Sequence, residues 1–121
     1  MHQRPYEKLI VWKEAHQLCL AVYKVTESLP RDERFRLIDQ MCKASYSVPM
    51  NITEGNEKFS IKHRLHFFEI AAASLEELQY QMLLSKDLGY ISMDKFQSMD
   101  IQIRKVSFLL NKLRFSLKSR S

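Results

Sequence analysis

Apolar side chains recur three and four residues apart along nearly the whole chain. That repeat lines up one face of a helix with 3.6 residues per turn. The first run, residues 6–29, has its seam at Val11, Ala15, Leu18, Val22, Val25 and Leu29, with Ile10, Trp12, Cys19, Leu20 and Tyr23 beside it. The second, residues 31–54, carries Ile38, Met41, Ser45, Val48 and Ile52. The third, residues 60–87, carries Ile61, Leu65, Phe68, Ala72, Leu75 and Met82, flanked by Ala71 and Leu78. The fourth, residues 92–117, is the most regular: Phe96, Met99, Ile103, Val106, Leu110, Leu113 and Leu117.

The breaks between these runs are short. Pro30 suits the first position of the second helix, which has no use for an N–H. Gly55 and Gly89 are each placed to stop a helix by adopting the left-handed conformation. Ser60 and Ser92 are placed to cap the third and fourth helices. Pro49 lies inside the second run; it withholds an N–H from the Ser45 carbonyl and crowds it, which predicts a bend near residues 45–49. Short connections make sequential helices antiparallel neighbours. The expectation is an all-α protein: one domain, residues 1–121, folded as an antiparallel up-down-up-down four-helix bundle. Two glycines and three prolines in 121 residues agree with that class.

The first run has more apolar surface than one seam needs. It forms either a wide core face or a subunit interface, and Trp12 and Tyr23 are the candidate interface anchors, since large aromatics concentrate at such contacts. Cys19 and Cys42 are too few for a disulfide framework and lack metal-ligand spacing; buried free thiols in a reducing, cytoplasmic setting are expected. No apolar run reaches the length of a membrane span, and the first residues do not read as a signal peptide.

Charge adds a functional clue. The chain has 19 Lys and Arg against 14 Asp and Glu. In an up-down bundle, one end gathers the starts of helices one and three and the finishes of two and four. That end holds Arg4, Lys8, Lys58, Lys62, Arg64, Lys112, Arg114, Lys118 and Arg120 against Glu7, Glu54 and Glu57, nine cations to three anions. Such an end attracts phosphates and makes RNA or DNA a candidate partner, with Lys58, Lys62, Arg64, Lys112, Arg114 and Lys118 as the contact residues. The bland alternative is that helix C-termini favour Lys and Arg anyway. No aromatic platform is interleaved with these charges, so the expected contact is with the backbone and not with bases.

Catalytic and metal chemistry find little support. No His has a Glu three positions before it, as a ferritin-type di-iron site requires. His63, His66 and Glu69 share a face, but no further ligand is identifiable. There is no glycine-rich phosphate loop, nucleophile elbow or Cys-His signature. The Arg-His spacing of HEPN-type helical ribonucleases is also missing. No enzyme activity, cofactor or metal is expected.

The central stretch Ser47-Val48-Pro49-Met50-Asn51-Ile52-Thr53-Glu54-Gly55 has a polar pair, Asn51 and Glu54, on one face. The pair either closes the helix end against a neighbour or serves a ligand or partner. Here the chain resembles a family of four-helix bundles, the intervening-sequence proteins of 23S ribosomal RNA. The resemblance is carried by Tyr6-Glu7-Lys8-Leu9 with Val11-Trp12, Leu29-Pro30 with Glu33-Arg34-Phe35, Gln40, Pro49, Asn51, Glu54 and Gly55. Ala72, Ser74-Leu75-Glu76-Glu77-Leu78 and Asp87-Leu88-Gly89-Tyr90 continue it, so that it spans about residues 6–91. Thr53 replaces a usual alanine, and Asn56-Glu57-Lys58 replaces an aromatic-glycine-arginine run. The resemblance implies a small bacterial cytosolic protein without known enzymatic activity. It also implies assembly of the kind some members show, a five-fold ring and hence a homopentamer. A relative serves diversity-generating retroelements by binding nucleic acid and a reverse transcriptase.

Two functions compete on this basis. One is a non-enzymatic, self-assembling bundle that contacts nucleic acid through its basic end. The other is a protein-interaction adaptor that docks a partner on helix one and on the face near Tyr80.

Overall fold

The computed structural model describes Tyr6 and residues 9–120. Four helices follow in order: α1 (Ile10–Thr26), α2 (Asp39–Asn56), α3 (Ile61–Asp87) and α4 (Met93–Lys118). Arg4, Glu7 and Lys8 of the expected basic end lie outside the described residues, as does His2.

Each helix packs on its sequence neighbour, and α4 closes back on α1. The pairings run antiparallel. Between α1 and α2, Cys19 Sγ meets Ser45 Oγ at 3.5 Å, while Tyr23 lies beside Cys42. Between α2 and α3, Ser85 meets Met41, Ser74 meets Ser47, and Phe68 meets Gly55. Glu14 of α1 pairs with Lys105 of α4 at 2.9 Å, and Leu9 shares a groove with Leu113. Such an up-down-up-down bundle buries one stripe of every helix in a common core.

The seams form that core. Val11, Ala15, Leu18, Val22, Val25 and Leu29 are buried, as are Met41, Val48, Ile52, Phe68, Leu75, Met82, Met99, Ile103, Val106, Leu110 and Leu117. Ala71 and Leu78, placed at the flank of the α3 seam, have no exposed surface at all. Each large aliphatic or aromatic side chain withdrawn from water in this way stabilises the fold by about 1.5–3 kcal/mol.

Local signals set most of the helix ends. Ser60 Oγ accepts from the His63 N–H (3.1 Å), and Ser92 Oγ accepts from the Lys95 N–H (3.0 Å), so both serine caps form. After α3, Gly89 takes a φ of +79°, with Gly89 N–H donating to the Lys86 carbonyl and Tyr90 N–H to the Ser85 carbonyl. That paired closure needs a residue without a Cβ penalty at the turn.

Three expectations are corrected. First, α1 covers Ile10–Thr26, shorter than residues 6–29: Leu9 is extended, and Glu27, Ser28 and Leu29 are wound in tighter turns bonded three residues back. Second, the segment after Pro30 does not enter an α-helix directly. Pro30 is extended, Arg31–Glu33 make a 3₁₀ turn, and Arg34–Ile38 make a π turn before α2 begins. The Arg36 guanidinium donates to the Asp32 carbonyl from Nε and Nη2 (3.2 and 3.1 Å), a side-chain brace across that seam. Third, Gly55 lies inside α2, which continues to Asn56, and among the described residues only Gly89 has a positive φ. The backbone freedom of Gly55 is unused; its missing side chain makes room for Phe68. Throughout, α2 runs as α-helix past Pro49, which is buried.

Candidate nucleic-acid interface

The basic end is built where α2 finishes, α3 starts and α4 finishes. Its cations divide by what they touch. Arg64, half-buried, donates Nε to the Lys58 carbonyl at 2.7 Å and so ties the first turn of α3 to the end of the α2–α3 loop. Lys58 pairs with Glu54 at 3.5 Å and lies 5.1 Å from the Phe67 ring centroid. Arg114 leans into the α3–α4 groove, where Nη1 donates to Asn111 Oδ1 (3.0 Å) and Nε is buried with no partner among the described residues. Lys62, Lys112 and Lys118 are exposed to solvent. The predicted set is thus gathered at one end, but Arg64 holds the loop and Arg114 lines a groove shared with Glu69 and Glu76.

Along α4 the charge is one-sided. From Ile101 to Lys118 there are five cations and no carboxylate. The expectation of no aromatic among the cations is overturned. Phe108 is 65% exposed and Phe115 is 76% exposed. Seven residues separate them, so they share the face of α4 turned away from the core, and Lys112 between them stands 6.0 Å from the Phe108 centroid. A seven-residue spacing offset from the core seam was the available signal. Phe59, in the loop between Lys58 and Lys62, is fully exposed as well.

The remaining predicted residues fall elsewhere. Asn51 donates Nδ2 to the Ser47 carbonyl (2.7 Å) and to Ser47 Oγ (3.0 Å), and Ser47 Oγ also accepts from the Ser74 hydroxyl (2.8 Å). That network joins α2 to α3, so Asn51 closes the fold against a neighbour. Glu54 is exposed and paired with Lys58. Trp12 is half-buried against the core, stacked on His16 and edge-on to Tyr6, both at 5.2 Å between centroids. Tyr23, 46% exposed, belongs with exposed Leu20 on α1 and with Tyr46 and Met50 on α2. Between Tyr23 and Tyr46 sits Cys42, half-buried; burial pushes its thiol above the usual range, so it stays protonated near neutral pH.

His63, His66 and Glu69 are all exposed, and no three His, Cys, Asp or Glu side chains are gathered as for a metal ion among the described residues. No described helix is long and apolar enough to cross a membrane. At the opposite end from the cations, an open cavity of about 470 Å³ is lined by Leu37, Leu84, Tyr80, Gln81, Glu33 and Glu77, among others.

The sequence matches the family described as 23S rRNA-intervening sequence protein over residues 7–112. Among solved structures, a protein of unknown function from the S23 ribosomal protein family of Bacteroides thetaiotaomicron superposes with a TM-score of 0.78 at 18% identity, covering 87% of this chain and 98% of that one. No curated protein matches the sequence.

Proposed function

Because the chain belongs to the 23S rRNA-intervening sequence protein family, we propose that it is a non-enzymatic bundle that assembles with copies of itself and binds nucleic acid along the phosphate backbone through its basic end. The observation that carries this is the set of exposed lysines at one end of the bundle, Lys62 in the first turn of α3 with Lys112 and Lys118 in the last turns of α4. Counterions released from a polyanion by such a surface drive association, and the drive weakens as salt rises.

Self-assembly rests on the α1–α2 face. Leu20, Tyr23, Tyr46 and Met50 leave apolar surface in water there, as an interface between subunits requires. A five-fold ring, the arrangement the family resemblance implies, would repeat the basic end around an axis and multiply weak contacts.

The test is a titration of a labelled structured RNA with pure protein over a series of salt concentrations. The expected result is a linear fall of log K with log salt, its slope close to −0.9 for each duplex phosphate neutralised. Charge reversal at Lys62, Lys112 and Lys118 should weaken binding to all sequences alike. An absence of binding at low salt removes this reading.

A second reading is favoured by the cavity at Tyr80, where an exposed ring (59% exposed) stands over Leu37 and Leu84. There the Gln81 side chain is buried, and its Oε1 lacks a partner among the described residues. Recovery of one defined protein partner from nuclease-treated lysate, lost on Tyr80→Ala, would favour this adaptor role.

A further inference from the structure

The outer face of α4 holds more than charge. Ile101, Phe108 and Phe115 stand 69%, 65% and 76% exposed at seven-residue intervals. Two helical turns separate successive members, about 10 Å along the axis. The gaps are filled by Arg104, Lys105, Asn111 and Lys112. Arg104 is engaged with Asp100 and Lys105 with Glu14, both at 2.9 Å, in exposed or half-exposed pairs of the kind that exchange readily with other anions. Lys112 has an aromatic neighbour, Phe108, and no ion pair among the described residues.

We propose that this face is a stacking site for single-stranded nucleic acid, in which Phe108 and Phe115 each take a base face and Lys112 between them takes a phosphate. The proposal rests on the nucleic-acid reading above and adds to it the strandedness of the ligand. Bases in a duplex are stacked on one another and offer no free face; unpaired bases do, and any base can stack on a phenyl ring. Charge complementarity selects the polyanion over the other occupants of an apolar face. Two copies of α4 facing each other would set like charges opposite, which is strongly unfavourable. A membrane-surface helix needs a continuous apolar stripe, and the stripe of α4 is turned into the core; what remains outside is single side chains set among cations.

The experiment measures fluorescence anisotropy with three labelled ligands: a single-stranded RNA, an abasic strand of the same length and charge, and the corresponding duplex. The wild-type protein should bind the base-bearing strand at least about 25-fold more tightly than the abasic one, about fivefold or more from each ring. Phe108→Leu and Phe115→Leu, which keep an apolar side chain on an exposed helix face, should each remove about fivefold or more of that preference while leaving abasic affinity and salt slope unchanged. Equal affinity for base-bearing and abasic strands overturns the stacking site and leaves backbone binding intact. Absence of binding to all three ligands at low salt removes the nucleic-acid reading itself. Two further results also overturn the proposal: Phe-dependent binding to phosphatidylglycerol vesicles in place of RNA, and a change in assembly mass on Phe108→Leu with unaltered affinities.

Discussion

Phe68 of α3 occupies the space that a side chain at Gly55 of α2 would fill. A Cβ at Gly55 would lie 2.6 Å from Phe68 Cε1 and 2.9 Å from Cδ1, with the Arg64 carbonyl at 3.1 Å. Phe68 is 2% exposed and held by the core, so the ring has little room to move away. Gly55→Ala gains about 1 kcal/mol of helix propensity. Overpacking of this kind costs about 1–3 kcal/mol. The expected net effect is a loss of about 1 kcal/mol, seen as a thermal midpoint lowered by about 4 °C. Phe68→Leu removes Cε1, the nearest of the crowding atoms, so the double variant should show a favourable coupling between the two sites in a double-mutant cycle. Additive single effects would contradict the close-approach explanation.

Asn51 and Glu54 share a helix face but differ in what they hold. Asn51→Ala deletes two hydrogen bonds and leaves the Ser47–Ser74 bridge without its third member. The expected cost is about 1–2 kcal/mol. Glu54→Ala removes one exposed ion pair with Lys58, for which less than about 0.5 kcal/mol is expected. Urea midpoints of the two variants measure the contrast, and equal losses would refute the assignment.

The α3–α4 turn is fastened to the α1–α2 connection by Tyr90, whose hydroxyl donates to Glu33 Oε2 at 2.8 Å. That hydrogen bond holds the phenol above its usual pKa of 10.0, with desolvation and the Glu33 charge acting in the same direction. A phenol raised in the folded state stabilises the fold while it is protonated. The contribution is present below the unfolded-state pKa and is lost as pH rises through the folded-state value. Stability should therefore fall as pH rises from about 10 through the raised folded-state value. Tyr90→Phe should show a shallower decline over that window, with lower stability than wild type below it. Denaturant midpoints across the window measure it, and parallel curves for the two proteins would contradict the linkage.

Much of the bundle was legible in the sequence because burial leaves a periodic imprint. The seam residues from Val11 to Leu29 and from Met99 to Leu117 became core, with Leu113 half-buried at its edge, and Ser60, Ser92 and Gly89 set helix ends through bonds to their own neighbours. What could not be read depends on partners distant in sequence. Gly55 looks like a helix stop until Phe68 is placed opposite it. The π turn at Arg34–Ile38 shifts the backbone bonding register by one residue and carries no compositional mark. Arg64 reads as a free cation until the Lys58 carbonyl is found under its Nε. Phe108 and Phe115 sit in an apolar-rich helix whose seam runs inward, and only their angular offset from Val106 and Leu110 turns them out.

The same distinction separates stability from binding at the basic end. Arg64→Ala removes a charge-assisted bond of 2.7 Å to a loop carbonyl, so its expected cost is about 1.5–3 kcal/mol. Lys62→Ala touches no hydrogen bond or ion pair among the described residues, and its effect on stability should stay within about 0.5 kcal/mol. RNA affinity should invert the order of interest. If Lys62 meets a phosphate, its loss reduces the salt slope by about one unit and weakens all sequences alike. If Arg64 serves the loop through its Nε bond to the Lys58 carbonyl and meets no phosphate, Arg64→Ala, assayed well below its lowered melting point, should retain a slope near that of wild type. Thermal melts and salt titrations on the same two preparations give both quantities. A slope reduced by Arg64→Ala and untouched by Lys62→Ala would relocate the phosphate contacts from the exposed rim of α3 to the loop itself.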